Sequence, residues 1–377
     1  MKKLYFVLIV LLAISPVVIS TFLAGTQTKK ITSEGYDEKI YVALEAIGKV
    51  GVIDTKTRKV IRTIDLSEKI NGVMVDYMAH NVQVSPDGRN VIVTANVNRN
   101  KTDNMSGSKM AEATYGLFDK IIIIDPLTDT VVDHISIAID AHLAHVVINK
   151  QGDTAYISSQ EKGKVFAYDI EKNRINEIFD FGQNSGPHGL RMLRDNSKIF
   201  VALMGKKAMA SIDRKSGKIQ YFPLSGSAVQ TAVTPDGQYV FATIYESKKV
   251  AWVKVQTNEQ GYIDLPSDAK GPIQIYSTPD SKYLYVADQG YYFGQPTGDK
   301  VYRINISEKN VDQTIKAGKA PHGVVVDKAG DFVYITNLVS NSVSVIDTRS
   351  NKEIDQIPVG EMPNGISIWN KKLGGTE

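Results

Sequence analysis

The sequence predicts an all-β protein, a seven-bladed β-propeller of four-stranded blades, from three observations. The chain repeats a short unit many times. Each unit consists of strand-forming runs separated by turn residues. The two ends of the chain complete one another.

The repeat comes first. HNVQVSPDG (80–88) leads into VIVTAN (91–96) and then IIIID (121–125). TAVTPDG (231–237) leads into YVFAT (239–243), and VVVDKAG (324–330) leads into FVYITN (332–337) and VSVID (343–347). Matching positions fall at 80, 145, 188, 230, 274, 322 and 364, with one residue of slip at 145, 230 and 274. Most steps are roughly 42 to 48 residues, the period of a propeller blade. The step from 80 to 145 is longer and is read as carrying a loop insertion. Each unit holds short runs rich in Val, Ile, Tyr and Thr between Gly, Asp, Asn and Pro turns, and none shows helical periodicity.

The ends of the chain supply the ring closure. NGISIW (364–369) reads as a lone innermost strand, while IYVAL (40–44), VGVID (50–54) and KVIRTI (59–64) supply the three missing strands of the same blade. A blade shared by both termini closes a propeller and hides its sheet edges.

Composition narrows the function classes. Of 377 residues, 42% are hydrophobic and 23% charged, which suits a globular core. The net charge of +3 is spread without a basic stripe, so no nucleic-acid partner is expected. The absence of cysteine removes disulfides, thiolate catalysis and Cys-based zinc sites. Lys2 and Lys3 precede an apolar run from Leu4 to about Ala24, the pattern of an export signal or an N-terminal anchor. The expected organisation is a signal peptide or membrane anchor over 1–25, a linker over 26–38, the propeller over 39–369 and a tail over 370–377. The body is expected in the periplasm or at the cell surface, meeting a membrane only through its N-terminal segment.

The segment YITNLVSNSVSVIDTRSNKEIDQIPVGEMPNGISI (334–368) resembles the YVTN family of propeller repeats, and the resemblance extends over essentially residues 39–369. That family occurs in surface proteins of archaea and bacteria. Its wider relatives include the propellers of periplasmic nitrite reductase, which binds haem, and of nitrous oxide reductase, which carries copper. The resemblance implies a fold and leaves the activity open, because propellers host many functions.

Histidine is scarce, six in the chain, and five gather at one class of position. His80, His188 and His322 share a repeat position, read as a loop at the rim of the central channel. His142 and His145 lie in the corresponding loop of another unit, and only His134 falls elsewhere. Gln230, Gln274 and Asn364 stand at or beside the same position in other units. Three longer connections, 67–79, 97–120 and 288–300, are expected over this face, where loops on a rigid scaffold carry function. Tyr291 and Tyr292, next to Phe293, offer an aromatic surface there.

Neutral imidazoles around one axis suit a transition metal, and one imidazole with a polar opposite side suits haem. The candidate metal ligands are therefore His80, His142, His145, His188 and His322; the alternative is that these histidines hydrogen-bond neighbouring blades. Asp54, Asp125, Asp213 and Asp347 recur before turns and are read as turn caps. No G-x-S-x-G, H-E-x-x-H or phosphate-binding loop occurs, so no catalytic residue is assigned. Three readings follow. One is a module binding a protein or small molecule through its histidine face, and another a metal- or haem-dependent redox or cofactor-handling protein. The third is a propeller lactonase.

Overall fold

The computed structural model describes residues 35–99 and 116–375. The expected export signal or anchor and most of the 97–120 insertion lie outside the described residues. No helix among the described residues is long and apolar enough to cross a membrane.

Seven antiparallel sheets form the ring. Blade 1 pairs strands 59–65, 49–54 and 38–44 with Pro363–Asn370, so the last long strand of the chain is the inner neighbour of the first, as the sequence predicts. Blades 2 to 7 follow in chain order, spanning 77–139, 143–180, 187–223, 228–264, 272–316 and 321–358, each of four strands. Gly374–Gly375 adds a short fifth strand to blade 1, beyond the innermost one. The 67–79 segment does more than lengthen a loop: Glu68–Ile70 and Val73–Val75 pair as a hairpin, and Tyr77 already begins the inner strand of blade 2.

The three inner strands of each blade are apolar on both faces because sheets pack against them on each side, whereas outer strands alternate. Val91–Val97 is buried throughout, while Lys59–Asp65 buries only Ile64. Cores accordingly lie between blades: Ile92, Ile121 and Ile135 of blade 2 pack with Val146, Ile157 and Phe166 of blade 3. The recurring aspartates cap turns as expected: Asp54 accepts from the Thr57 amide, Asp213 from Ser216 and Asp347 from Ser350.

Candidate functional site

The histidines lie inside the innermost strands, which corrects their placement in loops. His80 belongs to Tyr77–Val84, His145 to Leu143–Ile148, His188 to Pro187–Met192 and His322 to Pro321–Val326. Only His142 occupies a loop, with φ of 45°.

Each inner strand is irregular at the same point. In blade 4 Pro187 pairs with Leu203 and Leu190 with Val201, so His188 and Gly189 together oppose the single residue Ala202. The same two-against-one bulge holds Ala144 and His145 in blade 3, Val229 and Gln230 in blade 5, Ile273 and Gln274 in blade 6, and His322 and Gly323 in blade 7. Blades 1 and 2 shift register at Asn364–Gly365 and at His80. The one-residue slip in the repeat is therefore a choice between two bulge positions. His80, His188, His322 and Asn364 use the first, and His145, Gln230 and Gln274 use the second.

Glycine beside the first-position residues has a steric cause. A Cβ on Gly189 would overlap Oε1 of Gln230, and one on Gly323 would overlap the carbonyl oxygen of Asn364. Each glycine thus lets the next blade come close to the channel axis. Hydroxyls on the second strands satisfy the bulges. Ser158 Oγ accepts from the His145 amide (3.0 Å) and donates to the His188 carbonyl (2.5 Å); Thr336 Oγ1 accepts from Gly323 and donates to Asn364.

The bulges bring side chains from all seven blades to the channel. The ring centroids of His145 and His188 are 5.0 Å apart, those of His80 and His188 5.7 Å, and those of His80 and His145 5.9 Å. One ring nitrogen each of His80, His145 and His188 lies within 4.8 Å of the others, and all three residues are buried. His142 packs edge-on against His80 at 5.6 Å. Across the channel, Gln274 Nε2 reaches His145 Nε2 (3.3 Å), Gln230 Nε2 reaches His145 Nδ1 (3.4 Å), and Gln230 donates to Gln274 Oε1 (2.6 Å).

Hydrogen bonds decide which nitrogen each histidine presents. His188 Nδ1 donates to the Val229 carbonyl (3.0 Å), leaving Nε2 bare. His80 Nδ1 donates to Glu45 Oε1 (3.1 Å), and its buried Nε2 has no partner. His322 is reversed: Gln289 Nε2 donates to its Nδ1 (2.6 Å), so the unpartnered Nε2 of the neutral ring carries the proton. Two histidines of one repeat position thus present a ligand atom, and the third presents a donor.

Burial pushes His188 and His322 down to about 3. Burial, then His188, pushes His145 well below the usual range, and Arg191 adds to the effect. His145, His188 and His322 are therefore neutral, as ligation requires of a metal-binding ring. Glu45 behaves oppositely: burial would raise it, but bonds from His80, Tyr292 (2.7 Å) and Asn364 (2.8 Å) outweigh burial and hold it at about 2.

Glu45, Gln289 and Asp119 were not singled out from the sequence. Glu45 sits in the three-residue turn Glu45–Ile47, and Gln289 and Asp119 border the two insertions. Glu45 and Gln289 belong to second-to-third strand connections and Asp119 opens the third strand Phe118–Asp125, so the loop class was a usable signal. Asp119 Oδ2 accepts from the amides of Ala141 and His142, fixing the loop that carries His142. The predicted aromatic cluster divides. Tyr292 stands edge-on to His322 at 5.5 Å, Phe293 stacks on Tyr245 and Tyr291 is exposed. His134 lies on the outer strand Thr130–Ile139, as predicted.

The chain is similar to 6-phosphogluconolactonase of Formosa agariphila at 22% identity over 261 residues, covering 59% of this chain and 72% of that protein. No protein-family profile matches. Among solved structures, a functionally unknown protein of Desulfotomaculum acetoxidans superposes with a TM-score of 0.67 at 15% identity, covering 88% of this chain and 98% of that one. Virginiamycin B lyase of Staphylococcus aureus gives 0.60 at 17%, covering 79% and 93%. Hydrazine synthase of Kuenenia stuttgartiensis gives 0.57 at 16%, covering 78% and 92%. At these identities the likeness is one of fold.

Proposed function

We propose that this is an extracytoplasmic propeller that holds a transition-metal ion at one mouth of its channel and offers it to a ligand captured on the same face. The observation that carries the reading is the convergence of three buried imidazoles from three blades, with ligand atoms within 4.8 Å of one another. Bare nitrogens on His80 and His188 and a carboxylate behind His80 match the usual support of a metal-binding imidazole. Three nitrogen ligands suit zinc, copper or nickel. A porphyrin fits this set poorly: it needs one ring with an uncovered side, whereas these rings pack against each other's edges and amides cover His145. Extracytoplasmic placement is supported by the lysine pair and apolar run at the N-terminus.

The ligand would be captured beside Glu45, where a hollow of about 250 Å³ is lined by Ala46, Tyr291, Leu338, Val339 and Met362. Nothing in this face identifies a protein partner, so a small molecule is the simpler occupant. A second reading, a hydrolase or lyase, is favoured by the Glu45–His80 pair. The ionised carboxylate fixes His80 with Nε2 bare, the arrangement of a general base, and Tyr292 lies within reach as a proton donor. The lactonase and lyase relatives are in keeping with it.

Elemental analysis and an absorption spectrum of the purified full-length protein, followed by zinc, nickel and copper titration, test the proposal. One ion per chain, lost in His80→Ala and His188→Ala, supports it. A metal-free protein that takes up none of the three ions overturns it, and a Soret band would restore haem. Lactone hydrolysis by metal-stripped protein would favour the second reading.

A further inference from the structure

The opposite mouth of the channel, ringed by the SPDG-type turns, contains a cation that the fold does not explain. Arg191 follows the bulge of blade 4 by two residues and points to the same side as Gly189. It is 8% exposed, yet no carboxylate among the described residues pairs with it. Its guanidinium donates to the Leu190 carbonyl (3.0 Å) and lies 5.7 Å from the ring of Tyr276. A buried guanidinium with five donors and one such bond is costly unless something anionic completes it.

The surroundings supply room and further positive charge. Arg191 lines a cleft of about 20 Å³ with Arg194 and Lys150 at its edge. Arg194 and Met192 are shared with an adjoining hollow of about 160 Å³, bounded by Tyr276, Val233, Val326 and Lys328. The acid at that hollow, Asp327, is engaged by the amides of Asp331 and Phe332. A cavity of about this volume holds a single benzene-sized molecule.

We propose that this mouth is a carboxylate-binding site, with the carboxylate paired to the Arg191 guanidinium and an apolar body of aromatic-ring size in the adjoining hollow. Planar two-point recognition of a carboxylate is the chemistry arginine is shaped for. The carboxylate is that of a free small molecule.

Calorimetric titration with benzoate at low ionic strength tests the site, using the full-length protein, Arg191→Met and Arg191→Lys, with folding checked by circular dichroism. Saturable binding by the wild type, weakened at least about tenfold by Arg191→Met and partly retained by Arg191→Lys, supports the proposal. No binding to the wild type overturns it, as does equal affinity with Arg191→Met.

Discussion

His188 and His322 occupy the same bulge position, each after a proline and before a glycine, but they sit in unlike halves of the channel rim. The His188 half gathers His80, His142 and His145 and presents bare nitrogens. The His322 half gathers Gln289, Tyr292 and Asn364, and there the histidine presents an N–H. The difference arises in the acceptor or donor that each Nδ1 meets, a backbone carbonyl in one case and a glutamine amide in the other. A repeat therefore copies the position of a side chain without copying its protonation, because the tautomer is set by a neighbour from another blade or an insertion.

The largest expected effect separates the halves directly. His188→Ala should weaken zinc binding by more than about a hundredfold, and His322→Ala by only a few-fold, in competition with a chromophoric chelator. Equal losses would erase the distinction.

Acid should act on both halves alike. His188 and His322 are held below their unfolded value of about 6.5, so the unfolded chain binds more protons as pH falls. Their neutral burial is without cost above about pH 6.5, and stability then declines toward pH 3. At pH 5 each should cost roughly 2 kcal/mol, read from urea denaturation in the absence of metal. His188→Gln and His322→Gln should each flatten the slope, and a slope unchanged in either variant would show that ring not to be buried neutral.

Gly189→Ala and Gly323→Ala test the packing behind the two positions. Both should lose about 1 to 3 kcal/mol, since each Cβ meets a neighbouring blade. Both should also weaken metal binding, because the displaced residues, Gln230 and Asn364, contact His145 and His80 respectively. The smallest effect is expected for Tyr292→Phe. Losing the hydroxyl bond to Glu45 should cost about 1 kcal/mol of thermal stability, while metal affinity changes little because His80 retains its carboxylate.

Much of the fold was legible because a propeller blade is local. Val91-Ile-Val-Thr and the turn before it report a strand pair without reference to distant residues, and NGISIW at one end visibly lacks the strands that IYVAL begins at the other. The site was legible as a set of positions, since repetition exposes residues that break the pattern. Grouping was legible only as the run of adjacent blades that carry His80, His145 and His188. His80 and His188 are 108 positions apart and belong to non-adjacent blades, yet their rings meet, whereas His322 meets Gln289 and Tyr292.

By itself the sequence determined the strand-forming repeats, the number of blades, the shared closing blade and the class of position where histidine collects, because these follow from side-chain periodicity and turn chemistry. Tertiary structure alone decided which bulge residue faces the axis, which three imidazoles converge, that Glu45 stands behind His80, and that Arg191 is buried with no carboxylate partner among the described residues. Those facts depend on how closely neighbouring blades approach, and that distance is set by packing around the whole ring.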